Sequence, residues 1–573
     1  MTENFTRRTA LTGGLAVSAA SCATAPSLTS HIAVREAAAG TFAHGVASGD
    51  PAPNGVIIWT RVSLDIETQD TINVQWEAAT DSDFSVNVAS GETTTNAARD
   101  WTVKVELGNL TPGSQYFYRF RVGDKTSPVG RTRTLPASNV EKARFAIVSC
   151  SNYPFGYFNV YDLIAQQDDL DAVIHLGDYI YEYSTEGYGG PSGKALDRNH
   201  SPTHEIITLS DYRTRHAQYK SDAASQAMHA AHPVIVTWDD HETSNNSWTD
   251  GAENHDMSEG EWEARRRAAL QAYYEWMPVR EPEGNAAAFF RSFSFGDLLT
   301  LTAIETRLMA RSKQWEYAEV VPQLKNQADV DKFMTETLWD ESREMLGAAQ
   351  IAYIQKTLSD SKAAGQPWRL IANQIIMAAV NAADLTPHVT EQDILDLEAQ
   401  WAPARSFIKS SALGLPSNFD AWDGYPAARE RFYDTVDSAG RDGLLVLTGD
   451  THTWWANDLK RHNGEQMGVE LGVHSVTSPS PYRKEFLGGK GEEYALLTNR
   501  ENKDVRYLSG EDHGFIDLTV THEDAEAKFV AVDTIEKLEY NAFTKVSFKI
   551  KNRNGASGFT GARGLTLKER FLF

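Results

Sequence analysis

The run Ala172-Val173-Ile174-His175-Leu176-Gly177-Asp178-Tyr179-Ile180-Tyr181 decides the fold. A short, uninterrupted apolar stretch closed by Gly-Asp predicts a strand buried on both faces, not the alternating strand of a half-solvated sheet. The design recurs. Phe145-Ala146-Ile147-Val148-Ser149 ends at Cys150, and Val234-Ile235-Val236-Thr237-Trp238 ends at Asp239, Asp240 and His241. Leu298-Leu299-Thr300-Leu301-Thr302-Ala303-Ile304 ends at Glu305-Thr306-Arg307, and Arg369-Leu370-Ile371-Ala372 at Asn373. Leu444-Leu445-Val446-Leu447-Thr448-Gly449 ends at Asp450, followed by His452. Helical stretches separate these runs, so they predict the mostly parallel strands of an α/β domain, whose ligand site lies beyond the strands' carboxyl ends. Singly, each polar terminus has an ordinary explanation. Asp after Gly caps a turn, a buried Cys is a small hydrophobe, His175 is a hydrogen-bonded core residue, and His44 is structural. Six such residues at the same end of six strands favour a metal site.

Upstream, the rhythm differs. Residues 42–136 read as short alternating strands punctuated by turns, including Val56-Ile57-Ile58-Trp59-Thr60-Arg61-Val62 and Trp101-Thr102-Val103-Lys104-Val105-Glu106-Leu107. They predict a β-sandwich, and Leu110-Thr111-Pro112-Gly113-Ser114-Gln115-Tyr116 resembles the tyrosine corner of fibronectin type III domains. The expected organisation is a leader over 1–39, a fibronectin-III-like sandwich over 40–137 and a layered α/β catalytic domain over 141–573. Within the last, a helix is expected from Ser258, with Glu261 completing a capping box, through to Met277, and another over 346–362. Residues 313–334 and 381–416 show no clear period and read as lids or insertions.

Arg7-Arg8 precede a weakly apolar, small-residue stretch from Leu11 to Ala25, too short to span a bilayer. This order predicts a twin-arginine (Tat) export signal, hence a periplasmic or secreted protein and the Tat machinery as the precursor's partner. Of the two cysteines, Cys22 falls in that leader, so the mature chain would carry Cys150 alone and no internal disulfide. With 78 acidic against 54 basic side chains and a net charge of -24, the chain offers no basic face for nucleic acid. No later apolar run is long enough to cross a membrane.

Gly177-Asp178-Tyr179-Ile180-Tyr181 resembles the Gly-Asp-x-x-Tyr signature of purple acid phosphatases within the calcineurin-like metallophosphoesterases. The closer resemblance is to PhoD-type alkaline phosphatases. It is carried by Ser149-Cys150-Ser151-Asn152, His175 through Tyr183, Trp238-Asp239-Asp240-His241-Glu242, Asn373-Gln374, Trp422-Asp423-Gly424-Tyr425-Pro426 and Thr448-Gly449-Asp450-Thr451-His452. The resemblance spans nearly the whole chain. It implies a phosphomonoesterase or phosphodiesterase using iron(III) together with calcium. It further implies Cys150, Asp178, Tyr181 and His452 around iron, and Asp178, Asp240, Asn373 and Asp450 around the second position, with Asp239 the alternative to Asp240. Glu305 stands where the family pattern has Asp.

The donor chemistry agrees. A thiolate and a phenolate suit a strongly Lewis-acidic ion, and carboxylate and amide oxygens suit a hard cation such as calcium. The His-Glu-x-x-His pattern of zinc hydrolases and the Gly-x-Ser-x-Gly elbow of serine hydrolases are both missing. In-line hydrolysis needs a proton donor at the leaving oxygen, a role assigned to His241. Arg307 would either clamp a phosphate oxygen or form a structural ion pair. A phospholipase-type phosphodiesterase acting on phospholipids or teichoic-acid-like polymers is the alternative function.

Overall fold

Strands Lys142–Val148, Ala172–His175 and Pro233–Val236 run parallel, with Val173 opposite both Ala146 and Val234. They occupy the middle of a ten-stranded sheet. Strands Leu299–Ala303, Trp368–Ala372 and Leu444–Thr448, also parallel, lie within a seven-stranded sheet. All six apolar runs are therefore strands, three in each sheet. This computed structural model describes residues 40–64, 71–399, 404–553, 555–566 and 569. The expected export signal and Cys22 lie outside the described residues.

The two sheets face each other. Phe145, Ile147, Ile174, Leu176 and Ile235 from one meet Leu299, Leu301, Leu370, Leu445 and Leu447 from the other in a single buried cluster. The alternate residues point outward but are equally covered. Val148, Val173 and Val236 pack against the helices Asn159–Ala165, Leu209–Ser221 and Trp262–Trp276. Ile371 and Val446 pack against Gly347–Ala363 and Pro426–Ala439. Helices cover both outer faces of a sheet pair, which is why these strands read as unbroken apolar runs. Truncating one such fully buried side chain, for instance Ile174→Ala, would cost about 2–5 kcal/mol.

The second long helix falls one residue from its expected place, at Gly347–Ala363. The first begins later than expected, at Trp262, because Gly260 at φ 100° interrupts the chain. The capping box belongs to the preceding short turn: Asp256 and Glu259 bond each other's backbone N–H groups, and Glu261 makes no side-chain cap. The two opaque stretches contain short helices, among them Gln327–Lys332 and Glu391–Glu398. They meet around Val320, Phe333, Leu415 and Phe419.

The sandwich is built as expected between two leaves, with Val56, Ile58 and Val103 packed on Val74, Tyr118 and Phe120. One leaf is not separate. Val46–Ala52 pairs in parallel with Pro233–Val236, so this leaf and the central catalytic strands form one sheet. Trp59 Nε1 donates to the Glu275 carbonyl at 2.8 Å, which ties the leaf to the 262–276 helix as well.

Candidate metal centre

Residues at the carboxyl ends of these strands converge on one buried centre. The backbone there is strained: Cys150, Asp178, Asp450 and His452 all have positive φ, between 51° and 61°. Each such non-glycine residue costs about 1–3 kcal/mol and persists only when its surroundings impose it. Here they do. Cys150 N–H donates to the Gly177 carbonyl at 3.1 Å and Ser151 N–H to the Asp178 carbonyl at 2.9 Å. Gly177 sits at φ 106°, and a Cβ there would lie 2.5 Å from Asp239 N and Cβ, so only glycine lets the two acidic loops meet.

Three groups of side chains come together, each with its potential ligand atoms within 4.8 Å of one another. They are Cys150, Asp178 and His452; Asp178, Asp240 and His241; and Asp239, Asp240 and Asp450. Asp178 is shared by the first two groups and Asp240 by the last two. Tyr181 joins the first: its hydroxyl donates to Asp178 Oδ2 at 3.0 Å, lies 3.2 Å from His452 Nε2 and accepts from Ser478 Oγ at 2.8 Å. His452 Nδ1 faces the Pro479 carbonyl at 3.1 Å, which fixes the proton there and leaves the Nε2 lone pair for the site. Asn373 is buried at its strand end, accepting from Trp422 Nε1 at 3.3 Å through its amide oxygen. That oxygen keeps a second lone pair.

His241 Nδ1 is held by Glu182 Oε2 at 2.7 Å, and its ring lies 4.2 Å from that of Tyr181. Burial alone would favour neutral imidazole, but Asp240, Glu182 and Asp178 outweigh it and push the pKa well above the ordinary histidine value. Burial pushes the Cys150 thiol and the Asp178 and Asp450 carboxyls well up, and neighbouring acidic groups add to the rise.

Arg307 is 0% exposed, and most of its guanidinium is spent on acidic partners, Nη2 alone making no hydrogen bond. Nε donates to Asp239 Oδ1, Nη1 bonds both oxygens of Asp420 at 2.8 and 2.7 Å, and Nη2 lies 3.5 Å from Asp450 and 3.7 Å from Asp240. This geometry favours the ion pair over the phosphate clamp. Glu305 is also spent. It accepts from Trp238 Nε1 and from the backbone N–H groups of Arg307, Leu308 and Met309, so it holds a loop and has no place among the ligand groups. His175 bonds Tyr161 at 2.7 Å inside the core.

Three contributors escaped sequence reasoning. Glu242 accepts from the N–H groups of Asp178 at 3.0 Å, Asp239 at 2.7 Å and Tyr179, clamping two strand-end loops together. Its only signal was its place in Asp-Asp-His-Glu. Asp420, which pairs Arg307 and Arg311, gave none, and Glu182 could be found only as part of a quoted motif.

Buried polar atoms converge here without hydrogen-bond partners: Asp178 Oδ1, Asp239 Oδ2 and Asp240 Oδ1, with Arg307 Nη2 beside them. Native proteins rarely leave buried carboxylate oxygens unbonded, and the donor set of oxygens with one sulfur, one phenol and imidazoles fits bound cations.

Known proteins resemble this chain along most of its length. The family model described as PhoD-like phosphatase matches residues 145–529, and that described as PhoD-like phosphatase, N-terminal domain, matches residues 24–136. The chain is 34% identical over 524 residues to alkaline phosphatase D of Bacillus subtilis (strain 168), covering 88% of this chain and 80% of the relative. It superimposes on a solved structure described as the structure of PhoD with a TM-score of 0.72 at 30% identity, covering 93% of this chain and 96% of the other. With both segments matched in order and the likeness sustained along nearly all of the polypeptide, the chain belongs to the PhoD-like phosphatase family and is a phosphoric ester hydrolase.

Proposed function

We propose that this protein is an exported, metal-dependent alkaline phosphatase and phosphodiesterase, with iron(III) at Cys150, Asp178, Tyr181 and His452. Calcium is assigned to Asp178, Asp240, Asn373 and Asp450, with Asp239 beside it. One observation carries the metal dependence: Asp178, Asp239, Asp240, Asp420 and Asp450 crowd together with Arg307, Arg311 and His241 as their only cationic partners among the described residues, and three carboxylate oxygens stay unpartnered. Uncompensated buried charge of this kind is costly, and bound cations relieve it. The export proposal rests on Arg7-Arg8 and the apolar stretch that follows.

When bound, the cations would supply Lewis acidity toward the phosphoryl oxygens and lower the pKa of the attacking water. The chain's own residues do the rest. Glu182 fixes the His241 ring through Nδ1, leaving Nε2 as the nitrogen that gives a proton to the leaving oxygen. Glu242 and the Gly177 contact keep the Asp178 and Asp239 loops in register, and Arg307 balances the acidic wall. The test is hydrolysis of p-nitrophenyl phosphate and bis-p-nitrophenyl phosphate with and without a calcium chelator, alongside elemental analysis and a scan for a visible tyrosinate-to-iron band. A colourless, iron-free protein with full activity would refute the iron assignment, and chelator-resistant activity would refute the calcium one.

A further inference from the structure

Strand Gln466–Gly472 belongs to the seven-stranded sheet, but the chain that leaves it crosses to the other sheet. Val473 N–H still donates to the Thr448 carbonyl, at 2.9 Å. Three residues on, Val476 N–H donates at 2.9 Å to the carbonyl of Ser149, just past the Lys142–Val148 strand of the ten-stranded sheet. Residues 473–478 therefore link the strand ends that carry Asp450 and Cys150, and all six are buried. The crossing is tied down by its own side chains: Thr477 Oγ1 donates to the Asn152 carbonyl at 2.8 Å, and Ser475 Oγ donates to the Ser478 carbonyl.

This segment reaches three of the four proposed iron ligands. Thr477 and Ser478 N–H groups donate to the Cys150 carbonyl at 3.3 and 3.4 Å, and the Pro479 carbonyl faces His452 Nδ1 at 3.1 Å. Ser478 Oγ lies 2.8 Å from the Tyr181 hydroxyl, and this contact differs in kind because it meets the proposed ligand atom itself. Ser478 Oγ is also 3.2 Å from the Cys150 carbonyl, but that oxygen already receives two backbone N–H groups, and a hydroxyl has one hydrogen to give. The other neighbours of the Tyr181 oxygen, Asp178 Oδ2 at 3.0 Å and His452 Nε2 at 3.2 Å, act as acceptors. Among the described residues, Ser478 is thus the one hydrogen-bond donor aimed at that oxygen.

A hydrogen bond donated to a ligating oxygen draws electron density from it, so the oxygen gives less to the ion it holds. We infer that Ser478 is a positioning residue of the metal centre, its hydroxyl fixing the Tyr181 oxygen and damping its electron donation so that the bound ion stays strongly Lewis-acidic toward the phosphoryl group. The inference rests on the reading of Tyr181 as an iron ligand. Its test uses the whole, iron-loaded chain. Ser478→Ala should keep its iron by elemental analysis while the tyrosinate-to-iron band moves to longer wavelength, because the undamped phenolate gives up an electron more easily. Its kcat on p-nitrophenyl phosphate should fall about tenfold with KM unchanged. Ser475→Ala loosens the same segment but leaves the Ser478 hydroxyl, and its band should stay at the wild-type position. A third measurement needs no variant: in the unaltered protein, the tyrosinate C–O stretch seen by resonance Raman should shift between ordinary and heavy water, as the Ser478 hydrogen exchanges. An unmoved band in Ser478→Ala, an equal displacement in Ser475→Ala, or a stretch indifferent to the solvent would each overturn the inference. A wild-type protein that is active without iron or without the band would refute the iron reading itself, and this inference with it.

Discussion

The clamp carboxylates and the cluster carboxylates at the strand ends use the same chemical group in opposite ways. Among the clamps, Glu242 and Glu305 are buried with their oxygens occupied by backbone N–H groups and the Trp238 indole. In the cluster, Asp178 and Asp240 are buried to the same degree yet each keeps an oxygen with no hydrogen-bond donor. Burial alone therefore does not mark a functional carboxylate. What separates structure from chemistry here is what the lone pairs meet: the protein's own amides in the clamps, other acidic groups in the cluster.

Breaking the cluster should have the largest effect. Asp178→Ala removes the residue shared by two ligand groups, and kcat/KM should fall by more than roughly 10³-fold as several kcal/mol of Lewis-acid stabilisation is lost. Elemental analysis should show cation content falling with it; retained metal at full stoichiometry would place the cations elsewhere. His241→Ala comes next, with kcat down about 10²–10⁴-fold if it is the proton donor. Its pH signature sharpens the case. A donor whose pKa is raised stays protonated into alkaline conditions, so activity should hold there and fall as pH rises through that raised value. If Asp178 and Asp240 are shared with cations, Glu182 is the raising partner that remains, so Glu182→Gln should move the alkaline limb to lower pH. An unmoved limb would remove His241 from that role.

The clamps should respond in stability before chemistry. Glu242→Gln turns a donor toward backbone donors, costing about 1–3 kcal/mol, read as a lower denaturant midpoint. A midpoint equal to wild type would mean the clamp contributes little. The smallest effect belongs to Glu470, a third saturated carboxylate, bonded by Asn457 and by the N–H groups of Met377 and Ala378. Burial raises its pKa to about 7 in spite of those bonds. The folded state thus holds its proton where the unfolded state has lost it, and stability falls as pH climbs from the ordinary glutamate value toward about 7. Glu470→Gln should flatten the pH–stability profile in that window and leave kcat/KM unchanged.

Most of the layered fold was legible because strands covered on both faces advertise themselves as apolar runs, and most of the site was legible because those runs end in Gly-Asp, Asp-Asp-His or Cys. What stayed hidden depended on distant partners. Glu242 acts on amides at positions 178, 179 and 239, the first two some sixty residues upstream, and no spacing rule reports such a contact. Asp420 lies just beyond a stretch without period, and its importance comes from Arg307 and Arg311, more than a hundred residues away in sequence. Arg307 kept two readings in sequence because an arginine after a strand suits either. Only the count of acids around its guanidinium favours one. The late helix start has a local cause: Gly260 was available to be read, but the capping pattern at Ser258 and Glu261 masked the better match two residues earlier.

The pairing of Ser48 with Pro233 and of Gly49 with Val234 makes the front of the polypeptide a splint for its chemistry. Pro233–Val236 is the strand that delivers Asp239 and Asp240. Cutting the chain near residue 140 would strip one side of that strand and bare its amides to water. A shortened protein holding every proposed ligand would then begin with a frayed hinge beneath its most acidic loop, so the two segments are best inherited, and engineered, as a single piece.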